Sequence, residues 1–454
     1  MDYTQLTEDQ RRVMLDTIGV QEVDDLFCAI PEEKRLSEDL PLPPAMSELE
    51  LQREAVRMAA MNRGTDAQAC FLGAGAYDHF IPALIDQLIS RGEYLTAYTP
   101  YQAEASQGAL QAFFEFQTQI ARLTGMEIAN ASLYEGATAV AEAIHLALSQ
   151  TRKKRVLVAE TVNPDYRRVV RTYLADQPAE YIEIPADKKG GTVSAEGVEK
   201  LLDADTACVV VQSPNFFGLI EDWESIFSKT HENGKTLAIA VFNPIACALL
   251  KRPGECGADM AAGEGQPLGI PLQFGGPYLG LFAATGKLMR KMPGRLIGQT
   301  TDTQGRRAYC LTLQTREQHI RHEKATSNVC TNQGLLALRA TMYMTTMGAA
   351  GLRNVAEQCW HKAHYLAAEI KALPGYSLPY DKPFFNEFMV RCPVPAADLI
   401  ASGKQRGLLV GVDMSSARSG ESGSVNDLLI AVTEKRTRAE MDALVELFRE
   451  RGQD

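Results

Sequence analysis

The sequence has little of the positive charge, the long apolar runs and the His/Cys clusters that are typical of nucleic-acid-binding, membrane and metal-binding proteins. Among its 454 residues, 46 lysines and arginines face 57 aspartates and glutamates, and the net charge of −11 argues against a nucleic-acid or anionic membrane surface. It lacks a run of about 18 apolar residues, so we expect no membrane span. It has only seven histidines and shows no His/Cys cluster. We therefore expect no metal site.

The cysteines and the amino terminus predict a cytoplasmic protein. No two of the nine cysteines have Cys-x-x-Cys spacing, and several lie in apolar runs such as residues 207–211. This usage predicts reduced, mostly buried thiols rather than a disulfide framework or a zinc site. The start, Met1-Asp-Tyr-Thr-Gln5, is acidic and polar, unlike a secretory signal.

What is present is the pattern of an α/β protein with more than one domain. We predict a helical arm at 1–60, with Ser47 capping a helix, a large α/β domain at 61–340, and a small α+β domain at 341–454. Apolar strands alternate with helices, which predicts a mainly parallel sheet covered on both faces. The predicted strands are 155–160, 180–184, 208–212, 237–242, 377–379, 387–391 and 428–432; the predicted helices are 164–174, 194–202, 223–231, 333–347 and 438–451, and the polar tract 413–424 is predicted as a loop.

Five longer stretches, together with short ones at 18–20, 24–27, 30–31 and 123–126, carry a family resemblance that covers nearly the whole chain. The longer stretches are residues 72–79, 97–108, 130–139, 263–269 and 315–328. In them the chain resembles the glycine cleavage system P-protein, and within it the first subunit of the two-subunit form. The resemblance implies a pyridoxal-phosphate (PLP) dependent transferase of fold type I. It also implies a heterotetramer that decarboxylates glycine and passes the aminomethyl group to the lipoyl arm of the H-protein.

The segment Ala258–Gly280 is similar to the cofactor-lysine segment of the PLP-bearing half of this family, but it has no lysine. Gln266 stands at the lysine position, and an amide cannot form a Schiff base with the cofactor. Asn243 stands where a carboxylate would hold the pyridine nitrogen protonated, and Asn163 where a ring would stack on the cofactor. The turn Gly136–Ala139 keeps the helix start that presents N–H groups to a phosphate. The resemblance thus implies PLP on the second subunit and no covalent PLP here.

The same resemblance implies contributions across a subunit interface. Thr326, Ser327 and Asn328 are the candidate ligands of the partner's cofactor phosphate; the alternative is a solvated basic loop. Tyr98, Tyr101 and Glu104 are candidates for the substrate or lipoyl entrance; the alternative is interface packing. His79, paired with Asp78, is a candidate for proton transfer; the alternative is a structural hydrogen bond.

Two other functions stay open at this point. One is a self-sufficient PLP-dependent decarboxylase or aminotransferase, in which Lys251, Lys287 or Lys324 replaces the missing lysine. The other is a non-enzymatic scaffold on an inherited fold. The first requires an amine within reach of the cofactor, and the second requires that the chain contribute nothing to glycine turnover.

Overall fold

The computed structural model describes residues 6–36, 38, 40–95, 97–330, 333–415 and 424–452. The chain divides into two compact units, Met1–Arg63 and Gly64–Asp454. The tract predicted as a loop at 413–424 lies mostly outside the described residues. In the part that is described, no helix has the length and apolar character needed to cross a bilayer.

The first unit contains two amphipathic helices, α1 (Glu8–Ile18) and α2 (Glu48–Ala59), with 3-10 turns at Val23–Phe27 and Glu32–Lys34. The Ser47 hydroxyl accepts from the Glu50 N–H, and the Glu50 carboxylate accepts from the Ser47 N–H. This reciprocal capping box confirms the predicted cap. Neither helix has a buried residue.

The second unit is built from short strands and longer helices. Its strands are β1 (Ala69–Cys70), β2 (Ile128–Ala129), β3 (Arg155–Ala159), β4 (Glu180–Ile184), β5 (Thr206–Ser213), β6 (Leu237–Phe242), β7 (Met260–Glu264), β8 (Gly280–Ala284), β9 (Leu296–Thr301), β10 (Arg307–Thr312), β11 (Glu387–Arg391), β12 (Leu408–Leu409), β13 (Val412–Asp413) and β14 (Asp427–Ala431). Its α-helices are α3 (Ala83–Ile89), α4 (Gly92–Leu95), α5 (Gln107–Thr124), α6 (Gly136–Thr151), α7 (Pro164–Leu174), α8 (Ala195–Glu199), α9 (Trp223–Glu232), α10 (Gln318–Arg321), α11 (Gly334–Lys371), α12 (Ala396–Gln405) and α13 (Arg438–Arg451). Short 3-10 turns lie at Ala103–Ala105, Ala246–Ala248, Gln273–Gly275, Gly286–Lys291, Gln314–Arg316 and His322–Lys324.

A seven-stranded sheet with the order β2-β8-β7-β6-β5-β3-β4 forms the main layer. Strands β3 to β7 run parallel, and β8 and β2 pair antiparallel at one side. Every residue of β6, β7 and β8 is buried, as expected for strands covered on both faces. The predicted mainly parallel sheet is confirmed, and its carboxyl ends meet at one edge.

A smaller C-terminal layer has its own core. Its sheet has the antiparallel order β11-β14-β13, and α12 and α13 contribute buried residues to the same cluster. The predicted strand 377–379 is reduced to a single bridge between Ser377 and Arg391. Strand β1 pairs with β12, so the chain near residue 70 belongs to this layer, although the sequence placed it in the large domain.

Helix α11 joins the two layers. Tyr343 lies in the core of the large sheet, and Leu366 lies in the core of the small layer. The helix extends well past the predicted end at 347, with a break at Gly348, whose φ of 60° is a left-handed value that favours glycine. One helix thus runs from the core of the large sheet into the core of the small layer, and the predicted domain boundary at 340/341 lies within it. That boundary stays a prediction.

Candidate functional site

The carboxyl ends of β5, β6 and β7 border a small cavity beside Asn163 and Asn243, the positions that the sequence sets against the cofactor contacts of a PLP-bearing chain. Side chains from both layers line it, including those of Tyr77, Asn163, Asn243, Glu264 and Glu387. Its volume is about 30 Å³. That is room for roughly one or two water molecules. A pyridine ring with a phosphate does not fit.

Gln266 occupies the lysine position as a fully engaged, buried amide. Its Oε1 accepts from the Tyr77 N–H at 2.9 Å. Its Nε2 donates to the Tyr77 carbonyl at 3.0 Å and to the Ile270 carbonyl at 2.8 Å. Both amide hydrogens and the amide oxygen are therefore bonded to main chain, and the side chain is 2% exposed. Gln266 ties the loop around Tyr77 to the end of β7.

Glu264 was not singled out by the sequence, yet its carboxylate lies at the start of α6. It accepts main-chain hydrogen bonds from Gly136, Gln266 and Leu279 at 2.9, 2.9 and 3.0 Å. Burial raises the pKa of Glu264 to about 7, and these bonds oppose the rise. The helix start that the sequence marked as a phosphate cradle is thus bonded to a protein side chain.

Asn243 and Asn163 are engaged locally. The Asn243 Oδ1 accepts from the N–H groups of Ile245 and Ala246, which caps the 3-10 turn after β6. The Asn163 Oδ1 accepts from the Asp165 N–H at the start of α7, and its Nδ2 donates to the Ala74 carbonyl. Neither amide can supply the charge or the ring that the chemistry of PLP uses.

Glu387 completes the lining and was also missed by the sequence. Its carboxylate accepts from the Ala74 N–H at 2.6 Å and from the Tyr77 hydroxyl at 2.8 Å. Burial raises the pKa of Glu387 to about 7, and the two bonds oppose the rise. With Gln266 and Asn163, it holds the loop 72–79. The residues present therefore do not fit PLP, and they serve as anchors for this loop.

His79 is buried, but its partner differs from the predicted one. Its Nδ1 lies 2.7 Å from Oε2 of Glu434, whereas Asp78 forms ion pairs with Lys435 and Arg436 at 2.7 and 3.0 Å. The predicted pairing of His79 with Asp78 is wrong, because the fold brings the charged turn after β14 against both residues. Burial raises the pKa of Glu434, but His79 and the main-chain bonds outweigh it and hold that pKa at about 2.

The same cluster corrects the reading that no histidine and cysteine come together. Ligand atoms of His79, Cys359 and Glu434 lie within 4.8 Å of one another. They come from distant parts of the sequence, so no spacing marks them. The His79–Glu434 bond already joins two of these atoms, and burial raises the pKa of the Cys359 thiol. The expectation of no metal site stays a prediction.

The predicted entrance residues lie on the surface. Tyr98 is 87% exposed and borders a cavity of about 550 Å³ whose walls include Phe113 and Leu338. Tyr101 and Glu104 are exposed as well. His79, the candidate for proton transfer, lies buried against the turn after β14, so it does not share an environment with the three entrance candidates.

The predicted phosphate ligands lie in the segment after α10. Thr326 and Asn328 are exposed and Ser327 is half-buried. Thr326 and Ser327 border a cavity of about 20 Å³ together with Arg295. The Ser327 hydroxyl accepts from the Val329 N–H and hydrogen-bonds the carboxylate of Glu142. Burial raises the pKa of Glu142 to about 7, and the Ser327 bond opposes the rise.

Arg295, which no sequence pattern marked, connects the two predicted surfaces. Its Nη2 donates to the Tyr101 hydroxyl at 3.3 Å and to the Cys330 carbonyl at 3.1 Å. Its guanidinium carbon lies 5.6 Å from the centre of the Tyr101 ring, within cation–π range. The structure therefore brings Tyr101 and the segment of Thr326 and Ser327 together around one cation.

Comparisons with known proteins agree with the geometry. Residues 1–448 match the family model "Glycine cleavage system P-protein". The chain is 49% identical to a probable glycine dehydrogenase (decarboxylating) subunit 1 of Thermomicrobium roseum, over 99% of each chain. It is 48% identical to the protein of the same name from Bacillus cytotoxicus, over 98% of each.

Solved structures give the same family and fold. An inhibitor-bound glycine decarboxylase (P-protein) of the glycine cleavage system superposes with a TM-score of 0.90 at 41% identity, covering 99% of this chain and 100% of that one. A NifS-like protein from Rickettsia africae superposes with a TM-score of 0.62 at 12% identity, covering 84% of this chain and 99% of that one, and shows the fold alone. The predicted fold type I architecture is confirmed. This chain belongs to the glycine cleavage system P-protein family.

Proposed function

We propose that this chain is subunit 1 of a two-subunit glycine decarboxylase and works only together with a second, PLP-bearing subunit. One observation carries the proposal: Gln266 replaces the lysine, and its amide is consumed by bonds to Tyr77 and Ile270. A member of this family that cannot bind the cofactor at its own strand ends has to act at another chain's site. In that complex glycine is decarboxylated and the aminomethyl group passes to the lipoyl arm of the H-protein.

The chain's contribution is a surface that completes the partner's site. PLP on the second subunit supplies the electron sink for decarboxylation. From this chain, Thr326, Ser327 and Asn328 present hydroxyl and amide groups toward the cofactor phosphate. The exposure of Thr326 and Asn328 supports this role, whereas the half-buried Ser327 would have to leave the Glu142 carboxylate to donate to a phosphate.

A second part of that surface forms the entrance for the lipoyl arm. We assign it to Tyr98, Tyr101 and Glu104, because all three are exposed. Arg295 hydrogen-bonds Tyr101 and borders a cavity with Thr326 and Ser327, which supports a phosphate contact next to the Tyr101 part of the entrance.

His79 has a positioning role in this proposal. It is buried, and its Nδ1 is hydrogen-bonded to Glu434 rather than to Asp78, which supports a positioning role. Its bond to Glu434 instead fixes the end of loop 72–79 to the small layer.

The self-sufficient PLP enzyme has little support. Lys251 and Lys287 are exposed and form ion pairs with Glu224 and Asp259, and Lys324 is exposed too. The scaffold alternative predicts that the second subunit is active without this chain, so a measurement of glycine exchange distinguishes it from the proposed function. Cytoplasmic location, the heterotetramer and the H-protein as partner stay predictions.

The test is exchange of labelled bicarbonate into glycine, measured with lipoylated H-protein. This chain alone, the PLP-loaded second subunit alone, and the mixture are compared. We expect exchange only in the mixture. Exchange by this chain alone would support a self-sufficient enzyme, and full exchange by the second subunit alone would support a scaffold.

A further inference from the structure

We propose that the Glu264 carboxyl group takes the place of a bound phosphate: it occupies the position at the amino end of α6 where a cofactor phosphate binds in this fold, and so keeps the former cofactor site closed. This goes beyond the proposed function, which requires only that the lysine be missing.

Three main-chain donors converge on this carboxylate. They are the N–H groups of Gly136 at the start of α6, Gln266 after β7, and Leu279 just before β8. Free N–H groups at a helix start carry partial positive charge and are ready ligands for phosphate. With both Glu264 oxygens bonded to them, these donors are not available to a ligand.

The close approach of Glu264 to the start of α6 is possible because residue 136 is a glycine. A Cβ on Gly136 would lie 2.2 Å from the Tyr166 hydroxyl and 3.0 Å from the main-chain nitrogen of Glu264. A larger residue would require the Tyr166 ring to move and would crowd the main chain at Glu264. The helix end and the carboxylate are therefore fitted to each other.

The position that the Glu264 carboxyl group occupies has no room for a phosphate as well. Glu264 is 8% exposed, and the adjoining cavity is about 30 Å³. A phosphate would have to expel the carboxylate and leave it buried without its donors, which is costly. The site is thus blocked twice, at Gln266 by the absence of an amine and at Glu264 by a carboxyl group that already occupies the N–H donors.

The experiment uses the full chain, with inorganic phosphate as the probe. Glu264→Ala empties the position of the carboxyl group, and thermal unfolding is followed in phosphate and in sodium chloride of equal ionic strength. We expect phosphate to raise the Tm of Glu264→Ala by about 2–4 °C beyond any shift of wild type when it is roughly a hundred times its Kd. Wild type should show only the general stabilisation that phosphate gives to folded proteins, and the shift of Glu264→Ala is taken relative to it.

Glu221→Ala is the matched control. Glu221 is also buried, its pKa is also raised to about 7 by burial, and it accepts bonds from Thr161, Asn215 and Val193 away from the start of α6. Its variant should lose stability without any recovery in phosphate beyond the shift of wild type. If Glu264→Ala does not fold in chloride, its refolding yield in the two salts replaces the Tm. No advantage of phosphate for Glu264→Ala over Glu221→Ala, in Tm or in yield, overturns the proposal. Because glycine turnover is not measured, this result is independent of the proposed function.

Discussion

Gln266 and Tyr77 form a pair of hydrogen bonds that run in opposite directions, one from the Tyr77 N–H to Oε1 and one from Nε2 to the Tyr77 carbonyl. A side-chain amide is one of the few groups that can donate and accept in this way at once. A lysine at this position could donate only. The residue that stands at the lysine position and cannot form a Schiff base is thus the one that fixes the loop leading to His79.

Restoring the lysine should therefore not restore the cofactor. We expect Gln266→Lys to leave the Tyr77 N–H without its acceptor and to bury an amine, at a cost of about 3 kcal/mol or more in unfolding free energy. Incubation with PLP and borohydride should yield no pyridoxyl-lysine peptide by mass spectrometry. Gln304→Lys, at an exposed turn, is the control that should unfold like wild type. A pyridoxyl adduct on residue 266 would contradict the expectation.

The double variant Thr326→Ala/Ser327→Ala tests the contribution to the partner's cofactor. If each hydroxyl donates a charge-assisted bond to the phosphate, PLP affinity of the reconstituted complex should fall by about 1.5–3 kcal/mol per bond. The two single changes should differ in their effect on the stability of the isolated chain. Thr326→Ala should leave the isolated chain's stability unaltered, whereas Ser327→Ala also removes the bond to the buried Glu142 carboxylate.

Thr303→Ala, an exposed threonine in the turn between β9 and β10, serves as the control for that titration. Unchanged PLP affinity in the double variant, with assembly intact, would withdraw the assignment of these residues to the cofactor.

Tyr98→Ala tests the lipoyl entrance. Because the side chain is 87% exposed, its loss should not alter the unfolding free energy of the isolated chain. In the complex, we expect KM for lipoylated H-protein to rise about tenfold, which corresponds to roughly 1.4 kcal/mol of lost contact. Tyr98→Phe keeps the ring and should retain most of the affinity. Equal KM values for wild type and Tyr98→Ala would remove Tyr98 from the entrance.

The elements that the sequence predicted best are those whose signals are local. Strand β6 and helix α7 have the predicted bounds. The signals that predict them, an apolar run and an asparagine cap before proline, each span only a few residues. Glu264 and Glu387 were missed because the residues that they bond lie far away in the sequence. Glu264 bonds a residue 128 positions earlier, and Glu387 one 313 positions earlier. For His79, proximity in sequence favoured Asp78, whereas the fold supplies Glu434 from 355 positions away.

His79 offers a test between positioning and proton transfer. His79→Ala leaves the Glu434 carboxylate buried without its partner, and we expect a loss of about 3–5 kcal/mol in unfolding free energy. His79→Asn places an amide donor near the position of Nδ1, and it should recover most stability together with most exchange activity in the complex. A stable Asn variant whose kcat is abolished while KM is kept would instead show that the imidazole takes part in the reaction.

Glu387 makes the stability of the chain depend on pH. Burial raises its pKa from 4.5 to about 7 in the folded state. A raised carboxyl pKa contributes stability that is complete below about pH 4.5 and is lost as pH rises through 7. Glu387→Gln removes this titration, because an amide can still accept from the Ala74 N–H and meet the Tyr77 hydroxyl. Relative to wild type, the variant should therefore gain up to about 3 kcal/mol between pH 5 and pH 8. Urea unfolding at several pH values measures the difference, with the exposed Glu196→Gln as the control. Parallel stability curves for wild type and Glu387→Gln would show that Glu387 stays ionised over this range.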